Sequence, residues 1–174
     1  MDDTMKTAGI PIAEIVSGRL SEAEVHDRLS GGGSVTFLSS GADETFFLGH
    51  LLGGYGQPGE VCTLTGDLGA GKTLFTQGFA AGLGVAEPVN SPTFTILQVY
   101  ESGRLPFYHF DVYRIGDVEE MEEVGWEDYV YGGGICIVEW AELIQDILPE
   151  DCIRILIEKN LELGFDHRRI TIHL

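Results

Sequence analysis

Apolar and polar positions change period several times along the 174 residues, and each change marks an element. Val35-Thr36-Phe37-Leu38 reads as a strand. Phe47, Leu48, Leu51, Leu52 and Tyr55 then recur at helical spacing, with Ser40 or Asp43 as the cap and Gly53, Gly54, Gly56 and Pro58 as the stop. Glu60–Thr65 is a short apolar strand that runs straight into a glycine-rich loop. The segment after Lys72 reads as a helix that stops near Gly82-Leu83-Gly84. Asn90-Ser91-Pro92-Thr93 is a loop, and Phe94–Tyr100 and Leu105–Tyr113 are strands joined by the turn Ser102-Gly103. Val118–Val124 reads as an acidic helix, Ile135–Val138 as an apolar strand and Ala141–Leu148 as a helix ended by Pro149. Cys152–Glu158 and Arg169–His173 are the final strands. Strands alternating with helices predict an α/β fold: a sheet with a parallel core and some antiparallel strands, helices on both faces.

Residues 1–33 read as an N-terminal extension to a main domain of residues 34–174. Ser21-Glu22-Ala23-Glu24 has capping-box spacing, which predicts a short helix over 21–29. Gly31-Gly32-Gly33 reads as a flexible link.

The glycine-rich loop carries the most specific chemistry. Gly66-Asp67-Leu68-Gly69-Ala70-Gly71-Lys72-Thr73 fits G-x-x-x-x-G-K-[ST], the P-loop pattern. Gly66 lets the chain turn off its strand, and Gly69 and Gly71 leave room for backbone N–H groups to face phosphate oxygens. The helix that follows presents its N-terminal dipole to an anion. Lys72 supplies a point charge for the β- and γ-phosphates, and Thr73 offers a hydroxyl to magnesium. Leu74 follows directly and belongs to the same nucleotide-binding segment. A P-loop also needs a carboxylate at the end of a neighbouring strand. Asp111 ends Phe107-Tyr108-His109-Phe110, and Glu139 ends Ile135-Cys136-Ile137-Val138. Ser91-Pro92-Thr93 reads either as a plain Ser-Pro turn or as a switch-like loop whose Thr93 hydroxyl would reach magnesium or a γ-phosphate. Trp140 reads either as core packing or as a neighbour of the nucleotide, and His109 as structural.

Charge sharpens this picture. The net charge is −18, so the surface repels nucleic-acid phosphates, and work on RNA would pass through a partner. Lys72 is the only lysine between Lys6 and Lys159, placed where a phosphate-binding cation is required. No apolar run is long enough to span a membrane, and Met1-Asp2-Asp3-Thr4 is acidic, unlike a signal peptide, so a cytoplasmic location is expected. Cys62, Cys136 and Cys152 lie in apolar runs outside any C-x-x-C pattern and read as buried, reduced thiols.

Four blocks in order, GDLGAGKT, VNSPTFTI, HFDVYRI and GICIVEWAE, resemble the bacterial TsaE (YjeE) family, with ETFFLGHLL before the P-loop and RRITI near the end completing the likeness. The resemblance runs from about Ser34 to the C-terminus. It implies a small P-loop ATPase that helps make N6-threonylcarbamoyladenosine in transfer RNA. It implies ATP and Mg²⁺ as the bound groups and TsaD, the transferase, and TsaB, its inactive paralogue, as the partners. Residue by residue, Lys72 and Thr73 would be the Walker A pair, with Thr73 on magnesium. Glu139 would be a second magnesium-side carboxylate, and Asp111 would position or activate water. Thr93 would lie in a switch-like segment and Trp140 near the nucleotide. Thr45, in the preceding helix, would approach the adenine, and Arg114 would face partners. For residues 1–33 the resemblance implies no role, and nucleotide binding is expected not to depend on them.

The alternatives are a GTPase, a small-molecule P-loop kinase and a nucleotide-dependent interaction module that does not hydrolyse. The D-x-x-G and N-K-x-D patterns of a GTPase occur nowhere in the chain. Only Arg104 and Arg114 lie between the P-loop and Glu139, fewer than the arginine lid of such a kinase calls for.

Overall fold

The computed structural model describes residues 9–174. Eight strands lie in one sheet: β1 (Ile10–Pro11), β2 (Ser34–Ser39), β3 (Val61–Thr65), β4 (Leu97–Tyr100), β5 (Phe107–Asp111), β6 (Ile135–Glu139), β7 (Ile153–Lys159) and β8 (Arg168–His173), ordered β1-β2-β8-β7-β3-β6-β5-β4. The centre, β7-β3-β6-β5, is parallel, and β4, β8 and β2 join by antiparallel pairing. The helices are α1 (Ile12–Val16), α2 (Glu22–Ser30), α3 (Ala42–Tyr55), α4 (Lys72–Gly82), α5 (Glu120–Val124) and α6 (Trp126–Val130). The expected α/β architecture with helices on both faces is the one observed.

The two-residue period of the strands divides the core. Cys62, Leu64, Ile135 and Ile137 face a layer built with α1 to α4, whereas Val61, Cys136 and Val138 face a second layer built with α5, α6 and the turns after β6. The three cysteines are buried free thiols, and burial pushes the Cys136 thiol up to about 12.

The packing of α3 on α4 places the P-loop helix. A Cβ on Gly49 or Gly53 of α3 would lie 2.2 or 2.1 Å from the backbone oxygen of Phe75 or Phe79, and one on Gly78 or Gly82 of α4 would lie 2.1 Å from that of Phe46 or His50. Four glycines at four-residue spacing thus let two helix backbones touch.

Several boundaries differ from the sequence reading. Phe94–Ile96 is not strand: the N–H groups of Thr95 and Ile96 both donate to the Pro92 carbonyl (3.1 and 2.7 Å), and Ile96 takes φ 65°. The acidic helix starts at Glu120, and a further helix, α6, follows Gly125, whose φ of 82° breaks the run. Ala141–Ile147 is tight 3₁₀ turn rather than α-helix, kinked at Ile144. Neither Ser40 nor Asp43 caps α3, whose N-cap is Gly41; instead the Glu44 carboxylate accepts the Ser40 N–H at 2.7 Å.

The extension is also more than an appendage over its described part. The helix at 21–29 exists as α2, capping box included. Yet β1 pairs in parallel with β2, and Ile12, Ile15, Leu20, Val25 and Leu29 are buried in the first layer of the core. Gly31–Gly33 is a turn that delivers the chain into β2, with Gly32 and Gly33 at positive φ. Residues 1–8 lie outside the described part. A chain starting at Ser34 uncovers the apolar surface that these helices shield, and it is expected to be about 3–5 kcal/mol less stable than the full chain in urea denaturation. A difference under about 1 kcal/mol would show that the helices merely rest on the sheet.

Candidate functional site

Three strands of the parallel centre end side by side. β3 runs into the P-loop, Leu64 of β3 is in register with Glu139 of β6, and Glu139 is in register with Asp111 of β5. Carboxyl ends of parallel strands are where open α/β sheets bind ligands. The loop turns through Gly66 (φ 146°), Gly69 (φ 74°) and Gly71 (φ 110°), and Lys72 opens α4. Beside it lies a cavity of about 430 Å³, lined by Leu68, Gly69, Gly71, Lys72, Thr73, Leu74, Ser91, Thr93, Asp111, Tyr113, Glu139 and Trp140. Of the side chains singled out from sequence, Leu68, Lys72, Thr73, Leu74, Thr93, Asp111, Glu139 and Trp140 line this cavity, whereas Asp67, Ala70, Thr45 and Arg114 do not.

Lys72 is 5% exposed. Its ammonium donates to the carbonyls of Gly66 (2.5 Å) and Asp67 (3.0 Å) and sits 3.9 Å from the centroid of the Trp140 ring. Burial lowers its pKa, while Glu139, Glu142, Asp111 and Asp67 pull it back up. Trp140 itself adopts φ 62°, donates its N–H to the Leu64 carbonyl (3.1 Å) and lies 4.7 Å from the Tyr113 ring. Left-handed backbone at a bulky residue is a strained conformation that the surrounding structure must enforce. Here it turns the indole under the lysine, so Trp140 borders the cavity at the P-loop lysine.

Glu139, 2% exposed, is the hub of the buried polar groups. Its Oε2 accepts from the Thr73 hydroxyl (3.2 Å) and its Oε1 from the Thr76 hydroxyl (3.1 Å), and Oε1 lies 2.9 Å from His109 Nε2. His109 is fully buried, and its Nδ1 has no hydrogen-bond partner. Because a carboxylate only accepts, the ring N–H stands on Nε2 and donates to Glu139. The Thr73 hydroxyl and the Glu139 carboxylate are hard oxygens at the cavity wall, the donor set that magnesium uses when substrate phosphates and water complete its shell. The residues present thus fit magnesium.

Asp111, 3% exposed, is held on both oxygens. Oδ2 accepts from the hydroxyls of Ser91 and of Thr93 (3.1 Å), and Oδ1 accepts the Tyr113 N–H (3.0 Å). The switch-like loop is therefore tied to the strand-end acid. Thr45 does not line the cavity: it is buried, its hydroxyl pairs with that of Ser39 (2.9 Å), and its methyl would lie 3.7 Å from a Cβ on Gly71. Arg114 stacks over Phe94, 4.4 Å from the ring centroid, and Phe94 is 83% exposed. This cation–aromatic pair stands on the surface next to the switch-like loop.

The family model for "Threonylcarbamoyl adenosine biosynthesis protein TsaE" matches residues 39–170. The chain belongs to the TsaE family. Relatives agree: a Bacillus subtilis protein named "tRNA threonylcarbamoyladenosine biosynthesis protein TsaE" is 50% identical over 129 residues, covering 74% of this chain and 78% of its own length. A protein of the same name from Treponema pallidum is 42% identical over 130 residues, 72% of this chain and 96% of that one. The crystal structure of YdiB from Bacillus subtilis superposes with a TM-score of 0.70 at 41% identity, covering 81% of this chain and 85% of that one. The match excludes residues 1–38, so β1, α1 and α2 lie outside what the TsaE model describes.

Sequence reasoning took His109 as structural and passed over Ser91 and Thr76 as partners of the acids. The parity of β5 is the signal that places His109: residues 107, 109 and 111 share a face, so a histidine two before the strand-end acid points to the same layer. Replacing His109 with Leu removes one donor from a buried carboxylate and is expected to cost about 1–3 kcal/mol in denaturant unfolding, whereas Gln, which keeps an N–H donor near the same place, costs less. Equal losses for the two would show that only the shape of the ring matters.

Proposed function

We propose that this chain binds Mg-ATP in the P-loop cavity and hydrolyses it within the tRNA threonylcarbamoyladenosine machinery, acting with TsaB and TsaD. The observation that carries the reading is the meeting of Lys72, Thr73, Asp111 and Glu139 around one cavity. Its volume falls within the roughly 300–1,000 Å³ usual for small-molecule sites.

The chain's own groups divide the work. The P-loop N–H groups and the N-terminus of α4 hold the phosphates, and Lys72 sets its charge against the β- and γ-phosphates. Thr73 and Glu139 would hold magnesium, which would supply positive charge against the phosphate oxygens. Asp111 orients the attacking water. A carboxylate offers about four lone-pair sites, and its three internal donors leave one for that water. The water oxygen bonds to the γ-phosphorus, the bond to the ADP oxygen breaks, and the water proton passes to Asp111 or to the released phosphate. Ser91 and Thr93 report the γ-phosphate position to the loop because both already bind Asp111. Half-buried Trp140 packs against the exposed Tyr113 ring along one wall of the cavity.

The kinase alternative loses support from Arg104, whose guanidinium is committed to the carbonyls of Gly53, Gly54 and Gly56 (2.9, 3.1 and 2.7 Å) at the end of α3. The net charge of −18 supports delivery to RNA through partner proteins rather than by direct grip. No helix among the described residues is long and apolar enough to cross a membrane.

Phosphate release measured with and without TsaB and TsaD tests the assignment. Partner-stimulated turnover is expected to fall about 100-fold or more in Lys72→Ala and in Glu139→Ala, as when a preorganised electrostatic group is removed. Wild-type rates in both variants would overturn the site, and no stimulated release in the wild type would leave a binding module that does not hydrolyse.

A further inference from the structure

The β7–β8 hairpin touches the P-loop from behind at every second residue. At Gly66 the contact is steric: a Cβ there would lie 2.2 Å from the Ile157 carbonyl oxygen of β7. At Leu68 it is polar, because Lys159 Nζ donates to the Leu68 carbonyl at 3.1 Å. At Ala70, Arg168 Nε donates to the carbonyl at 2.8 Å. Arg168 is itself braced, its Nη1 donating to the carbonyls of Phe165 (2.6 Å) and His167 (2.9 Å). Lys159 and Arg168 are direct cross-strand partners in the hairpin register. Two of the ten lysines and arginines of a strongly acidic chain therefore stand as a pair against one loop.

A trans peptide is planar, and its C=O and N–H point in opposite directions. A cation that holds the Leu68 carbonyl outward turns the Gly69 N–H inward, and one that holds the Ala70 carbonyl turns the Gly71 N–H inward. Gly69 and Gly71 line the cavity, whereas neither Lys159 nor Arg168 does. Each cation also polarises the peptide it holds, which strengthens the N–H as a donor to an anion. Flipping either peptide would aim a carbonyl dipole at a phosphate. The glycines, which have almost no conformational barrier of their own, make that flip easy unless something outside the loop prevents it.

We propose that Lys159 and Arg168 are positioning residues for phosphate binding: they act through the Leu68 and Ala70 carbonyls to hold the P-loop amides in their phosphate-facing orientation, without touching the nucleotide. The proposal deepens the ATP-site reading and rests on it. Arg168 carries the larger share, because its contact is partly buried and braced, whereas Lys159 is exposed and solvent screens its charge.

The test combines nitrogen–proton NMR of the nucleotide-free protein with calorimetric titration of ADP. Arg168→Gln is expected to shift or broaden the Gly71 amide resonance before any nucleotide is added and to weaken ADP binding about tenfold. Lys159→Gln is expected to do the same to Gly69 with a smaller loss of affinity. Arg168→Lys keeps a cationic donor and is expected to recover most of the affinity, which a purely structural role for the guanidinium would not allow. Lys159→Gln keeps the question answerable if Arg168→Gln fails to fold. Unchanged Gly69 and Gly71 resonances with unchanged ADP affinity in the folded variants overturn the inference. Lost affinity with unmoved amides also overturns it, because the cations would then be acting on the phosphates directly. Absence of ADP binding by the wild type sinks the ATP-site reading instead, and the two failures are thereby distinct.

Discussion

A carboxylate placed almost wholly inside the protein is the constraint around which the rest is arranged. Glu139 closes β6 at 2% exposure, where an ion without partners would be strongly unfavourable. Its partners come from different elements: Thr73 and Thr76 from α4 and His109 from β5. Satisfying one carboxylate thus fixes the rotation of the first turns of α4 and the register of β5 on β6. Since Thr73 follows Lys72 in the chain, the same contacts set where the P-loop ends. The buried acid is a structural tie that also stands at the cavity wall beside Thr73.

The loop is held on further sides by backbone geometry. Behind α4, the glycine contacts with α3 bring the two helices to backbone distance, so the helix axis cannot shift without lifting both sets of glycines. Behind the loop itself stands the β7–β8 hairpin, with Lys159 and Arg168 on its carbonyls. In front, the loop from Asn90 to Ile96 is bound to Asp111 through Ser91 and Thr93, and the Asp111 N–H donates to the Ile96 carbonyl at 2.8 Å. The rear of the site is braced by backbone contacts, and the front is a short loop with a left-handed Ile96.

Much of the site was legible because the P-loop is local. Its glycines, its lysine and its threonine sit within eight residues, and their chemistry follows from spacing alone. Asp111 and Glu139 were legible as apolar runs ending in an acid, once a P-loop made strand-end acids meaningful. The role of His109 was not, since it depends on β5 lying beside β6, and strand order is a property of the whole sheet. The burial of α1 and α2 was missed for a related reason. A capping box announces a helix, and three glycines announce a turn, but neither states whether the helix covers apolar surface. The turn at 141–147 departs from its helical spacing, and the short helix α6 after the left-handed Gly125 went unread, although the end of α5 at Val124 is where the spacing put it.

The sequence by itself determined that the chain carries a phosphate loop on an α/β scaffold, that its charge disfavours direct contact with RNA, and that its motifs are those of the TsaE family. Those are consequences of residue type and short-range spacing, which need no long-range contacts to be expressed. Only the tertiary structure decided which acid meets Thr73 and which meets Ser91 and Thr93. It also decided that the Thr45 hydroxyl pairs with Ser39, that Trp140 lies against Lys72, and that the hairpin cations hold carbonyls of the loop. Each of these depends on strands distant in sequence being neighbours in the sheet, and on burial forcing every polar group there to find a partner.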